Sequence, residues 1–219
     1  MIASVHIADM DMGTALAALR SSPAPSGLRF GATMTCAPLS GALLSRPSLR
    51  RVGFIAFWDD DDAVDAFLAD DPAAARFRHG WHARLDPVRV SGAWPGVPDG
   101  AGHGRTDGPA LTVTLGRLRL SQASRFLRAS ARAGASALTA QGFLWGTGMA
   151  RPPLVATCSL WQDSAALAAY AHQPGAHADA VGADRRRPFH RRSVFIRCQP
   201  YRVGGSLEGR NPLSLQWTH

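Results

Sequence analysis

A short apolar strand ending in tryptophan, an acidic helix start and an amphipathic helix occur twice in this chain. Phe54-Ile-Ala-Phe-Trp58 with Asp60 and Ala63-Val-Asp-Ala-Phe67 is matched by Thr157-Cys-Ser-Leu-Trp161 with Asp163 and Ala166-Leu-Ala-Ala-Tyr170. A repeat of this size changes how every other residue is read. Upstream, Gly31-Ala-Thr-Met34 stands where Gly146-Thr-Gly-Met149 stands, with a longer hairpin in the first copy through Ser40, Gly41 and Pro47. Val5 to Ala8 and a helix around Thr14 to Arg20 correspond to Leu111 to Leu115 and a helix over Ser121 to Arg132. Closing strands rich in branched apolar residues are expected near Ala83 to Val90 and Ser193 to Gln199.

Each half therefore reads β-α-β-β-α-β. Gly92 to Gly104, dense in Gly and Pro, marks the link between them, and the boundary is placed near Pro109, giving halves of 1–108 and 109–219. Such a unit has a sheet with helices on one face, so its bare face must be covered. Two bare faces meeting inside one chain give an α+β protein, a pseudo-twofold barrel of two tandem ferredoxin-like units. With 219 residues, 46% of them hydrophobic, the chain can build a real core. No run of about 18 apolar residues and no secretory leader is visible, which reads as a soluble cytoplasmic protein.

The net charge of +8 rests on arginine, because the chain has no lysine. Arginines against acids number 10 to 12 over residues 1–109 and 14 to 4 over 110–219, so the second half alone is basic. That surplus suits an acidic ligand, an anionic membrane surface or nucleic acid. No RNA-stacking run accompanies it, and nucleic acid is not expected. Cys36, Cys158 and Cys198 are far apart and form no metal or redox pair. No nucleophile elbow, zincin, phosphate-loop or EF-hand motif occurs, and His79-Gly-Trp-His82 lacks further ligands for a metal site.

The stretch Gly142 to Trp161, with Ala169-Tyr-Ala171, His177, Pro188-Phe-His190, Phe195-Ile-Arg197 and the tail Gly209 to Leu213, resembles the spheroidene monooxygenase family of haem-dependent carotenoid oxygenases. The likeness is strongest over Leu111 to Tyr201. More distantly the chain is similar to haem-binding dimeric α/β-barrel proteins, including aldoxime dehydratases, chlorite dismutases and dye-decolourising peroxidases. The resemblance implies haem b, oxygen chemistry on an apolar, carotenoid-like substrate and an external electron donor. Non-oxygenase haem chemistry and a cofactor-free ligand-binding barrel are the alternatives. Peripheral membrane contact and a homodimer also stay open.

Haem needs an axial ligand, an apolar slot and cations for its propionates. Leu167, Tyr170, Pro174, His177 and Val181 recur at helical spacing, with a break expected at Gln173-Pro-Gly175 that puts His177 near a helix start. The resemblance favours His177 as the iron ligand over His172, His190 and Cys158. Arg185 and Arg186 follow as candidates for the propionates. Strand alternation puts Phe143, Trp145, Thr147 and Met149 on one face and Thr157, Ser159 and Trp161 on one face of the next strand, and Trp145 is the cofactor contact expected from the first set. Arg151, Thr157 and Ser159 are the donors available for catalysis.

Overall fold

The computed structural model describes residues 1–42, 48–98, 108–172 and 174–213, and for His177 the backbone only. Pro47, Gln173 and residues 99–104 of the expected link lie outside the described residues. The chain runs β1 (Ile2–Asp9), α1 (Met12–Arg20), β2 (Leu28–Pro38), β3 (Arg51–Trp58), α2 (Asp61–Asp70), α3 (Pro72–Ala75) and β4 (Trp81–Gly92). It continues with β5 (Ala110–Leu118), α4 (Ala123–Leu138), β6 (Phe143–Arg151), β7 (Leu154–Trp161), α5 (Ser164–His172), α6 (Ala176–Arg186) and β8 (His190–Gly204). Among the described residues no helix is long and apolar enough to cross a membrane.

The helix starts are written locally. Asp11 accepts from the Thr14 amide at 3.0 Å, Asp60 from Ala63 at 3.0 Å and Asp163 from Ala166 at 2.7 Å, each supplying an acceptor that the first helical turn lacks. The copies also share a tight joint. Gly27 and Gly142, both at φ +77°, sit so near the following helices that a Cβ would come within 2.5 Å of the Cβ of Ala63 and Ala166 respectively.

The eight strands close in the order β1-β3-β2-β6-β7-β5-β8-β4. Each half contributes a four-stranded antiparallel sheet, β4-β1-β3-β2 and β8-β5-β7-β6, and the sheets join along two seams, β2 with β6 and β4 with β8. Two tandem ferredoxin-like units thus form a single α+β barrel, as the repeat implies. Alternate residues from both halves fill its interior, among them Val5, Ile7, Met34, Ile55, Phe57, Trp81, Leu111, Leu115 and Ile196. Each large apolar side chain withdrawn there contributes about 1.5–3 kcal/mol.

The expected face of β6 is corrected by a bulge between Phe143 and Trp145. Phe143 turns outward and packs edge-on against Trp161 at 5.3 Å, whereas Trp145 and Met149 belong to the interior. One inserted residue reverses side-chain alternation, which is why period-two reading grouped all four. The helical break falls where Pro174 and Gly175 predict: α5 ends at His172 and α6 begins at Ala176.

Candidate functional site

The outer faces of the two sheets, beneath their helices, are equivalent by position and unlike in content. In the first half, Gly31, Ala56, Ser4 and Arg84 form one cross-strand row, and Thr33, Phe54, His6 and His82 the next. In the second, Gly146, Ser159, Thr112 and Arg197 form the first row, and Gly148, Thr157, Thr114 and Phe195 the next. Phe54, His6 and Thr33 are buried against Phe67, Phe77 and Trp58 in a continuous aromatic layer. Their counterparts Thr157, Thr114 and Gly148 are smaller, and all stay partly exposed.

The helical layer repeats this difference. In α2, Val64 and Phe67 are buried, but no described residue of α6 is. Among the described residues, the buried cluster under the second set of helices is reduced to Ala110, Trp161 and Leu167, with Phe143, Tyr170 and Phe195 at its margin. The second sheet is therefore covered less fully by its helices than the first, where phenylalanine fills the layer.

Charge follows the same division. Arg84 is 3% exposed and bonds Asp61 at 2.6 Å and Asp65, both on α2. For its counterpart Arg197, the repeat, which places Asp60 on Asp163, sets Ser164 and Ala168 at the positions of those carboxylates. Arg197 forms no ion pair among the described residues, and its Nε is buried without a hydrogen-bond partner. Burial, and then the charge of Arg89 on the neighbouring strand, pull its guanidinium below the ordinary value. A partly buried guanidinium whose Nε lacks an acceptor suits an anionic group such as a carboxylate. Sequence reasoning missed Arg197, although laying α5 on α2 exposes the loss of two aspartates.

The candidates chosen from sequence are dispersed. Thr157 and Ser159 share the outer face of β7. Ser159 is engaged: its Oγ accepts from Trp161 Nε1 at 3.0 Å and lies 2.7 Å from Thr112 Oγ1. Thr157 has no hydrogen-bond partner among the described residues. Trp145 lies inside the barrel, 5.6 Å from Trp81, on the face opposite to Thr157. Arg151 lies at the β6–β7 turn, where it donates to the Leu19 carbonyl at 3.3 Å. Arg185 and Arg186 are exposed in the last turn of α6.

Histidines and thiols separate by location. His177 is the second residue of α6, and its side chain lies outside the described residues. His172 is exposed. His190 is half-buried beside Gly116 and Phe126 with Asp184 at 3.5 Å, and burial holds its pKa below the ordinary value despite that carboxylate. Cys158 points into the barrel with Cys36 and Cys198, and burial pushes all three thiols up, Cys36 to about 12. His79 is exposed, and among the described residues no group of three His, Cys, Asp or Glu is placed to hold a metal ion by itself.

Among the described residues the second half thus offers a partly exposed sheet face of small residues, apolar margins and an arginine Nε short of an acceptor, which fit the apolar slot and the propionates of a haem. No family model matches the chain. It is 31% identical to spheroidene monooxygenase of Rubrivivax gelatinosus over 172 residues, covering 75% of this chain and 66% of that protein, just under two thirds of its length. It is 24% identical to spheroidene monooxygenase of Rhodobacter capsulatus over 181 residues, covering 77% of this chain and 74% of that one. A solved aldoxime dehydratase in complex with butyraldoxime shares the fold at a TM-score of 0.52 and 9% identity, over 91% of this chain and 79% of its own. On a barrel whose two halves have diverged, the chain is thus similar in sequence to the spheroidene monooxygenases of Rubrivivax gelatinosus and Rhodobacter capsulatus.

Proposed function

We propose that this chain is a haem-dependent oxidoreductase that transfers an oxygen atom from O2 to an apolar, carotenoid-like substrate, with electrons from an external donor. The observation that supports this best is the exchange of Phe54 and His6 for Thr157 and Thr114, which leaves the second sheet partly exposed beneath its helices. Haem, when bound, supplies an iron centre at which O2 is activated.

His177 is assigned to hold the iron. Its backbone stands second in α6, at the helix start expected from Pro174 and Gly175. Arg197 is assigned to a propionate, because it holds the sheet position of Arg84 without the aspartates and its Nε is buried without a partner among the described residues, and the exposed Arg185 and Arg186 are candidates for the other. Phe195 and Val155 offer apolar walls to the substrate. The Thr157 hydroxyl is assigned as the hydrogen-bond donor for the oxygen chemistry, and Ser159, already engaged, to position Trp161 and Thr112.

Titration of the purified protein with haemin, followed at the Soret band, tests the reading. Wild type should take up haem. His177→Ala should lose or shift the band, and His172→Ala and His190→Ala should retain it. Thr157→Phe, which restores the ring present in the first half, should block uptake while leaving the melting temperature unchanged or higher. With 18O2, a reductant and an acyclic carotenoid, the loaded protein should yield labelled product. A wild type that binds no haem, or a Thr157→Phe that binds it equally well, refutes the site; haem uptake without label incorporation refutes the oxygenase activity.

A further inference from the structure

At one end of the barrel, three or four residues along β5, β6 and β8 from Thr114, Gly148 and Phe195, four arginines converge. Arg117 near the end of β5, Arg151 at the end of β6, and Arg191 and Arg192 at the start of β8 line a cleft of about 600 Å³ together with Phe30 and Trp94. The register explains why a cleft forms there. Thr35 of β2 pairs with Ala150 of β6, and Leu28 to Met34 run on past the end of the β6–β7 hairpin, so that hairpin leaves one flank of the barrel low. Phe30 and Trp94, packed edge-on at 5.6 Å, wall the flank.

Three features of this cleft stabilise nothing in the protein alone. No carboxylate lines it, and none of its four arginines makes an ion pair among the described residues. Arg117 and Arg192 lie directly opposite each other on paired strands, where like charges are unfavourable. Trp94 is 8% exposed, and its indole N–H is buried without an acceptor among the described residues, a loss that folding normally avoids. The first two reverse on binding a multiply charged anion, and Phe30 and Trp94 offer an aromatic wall to a flat body. Guanidinium matches phosphate oxygens with paired hydrogen bonds, and a phosphate ester carries about −1.5 to −2 charges, where a carboxylate carries one.

We propose that this cleft binds a small phosphate ester, its phosphate held by Arg117, Arg191 and Arg192 and its planar part laid against Phe30 and Trp94. None of these residues belongs to the proposed haem slot, so the two readings stand or fall separately.

Flavin mononucleotide, a phosphate joined to a flat ring, is the probe, and riboflavin is the same ring without phosphate. Binding to the full chain, read by calorimetry and tryptophan fluorescence, should be saturable for the phosphorylated form and at least about tenfold weaker for riboflavin. Arg117→Gln and Arg192→Gln should each weaken it about tenfold while raising the melting temperature by about 1–3 °C, since each removes a like-charge contact. That opposition of affinity and stability is not expected of a merely structural arginine. Equal affinity for both probes, or binding indifferent to Arg117 and Arg192, overturns the proposal. So does arginine-dependent binding to phosphatidylglycerol vesicles without binding of the nucleotide, which would assign the cleft to a lipid surface.

Discussion

His6 ties the stability of the first half to pH. Its ring is buried, bonded to Ser4 Oγ at 3.1 Å and stacked on His82 at 5.9 Å. Burial first, then the charges of His82 and Arg84, pull its pKa from the ordinary 6.5 to about 3. Below pH 6.5 the unfolded chain takes up a proton that the native ring refuses, so stability is full above that value and falls as pH drops toward 3, by about 1.4 kcal/mol per unit. His82 and His190, also held low by burial, act in the same direction. Thermal melts from pH 7 to pH 4.5 should show the decline, and His6→Gln should flatten it; an unchanged slope would mean that His6 is not the buried neutral ring described. At this scale the sequence was informative wherever a residue acts through its own type, as the capping aspartates do. Arg197 escaped notice because its meaning lies in what faces it, and arginine looks alike paired or orphaned until a second copy supplies the comparison.

Among the elements, the matched glycine joints are the firmest sign that two copies share one geometry. Gly27 and Gly142 each turn the chain at positive φ, and each carbonyl accepts from the residue after the equivalent tryptophan, Asp59 at 2.9 Å and Gln162 at 2.7 Å. Gly142→Ala adds a Cβ against Ala166 and forces an unfavourable backbone angle, and should cost about 1–3 kcal/mol. Denaturant unfolding checks this, and Gly27→Ala should cost a similar amount because its surroundings match. Strand and helix existence was legible from apolar runs and the twin tryptophans. The bulge in β6 was not, because the unpaired residue that turns Phe143 away from Trp145 is dictated by β7 across the sheet. The helix break was legible, since Pro174 and Gly175 act locally.

Across the whole molecule, the repeat implied a barrel but not the pairing of β2 with β6 and of β4 with β8. Those seams join residues more than a hundred positions apart, for which no local pattern codes. They also leave neither sheet with a free edge, so one half cannot open without exposing the other. Cys36, Cys158 and Cys198 come from both halves and are fully enclosed by that closure. The barrel therefore carries its own clock for global opening. A thiol reagent pulsed onto the native protein should find no target, and as denaturant rises all three cysteines should become modified at one common rate, equal to the rate at which the entire barrel opens. Mass spectrometry of the modified peptides reads that rate, and early modification of Cys36 alone would mean that the halves breathe apart.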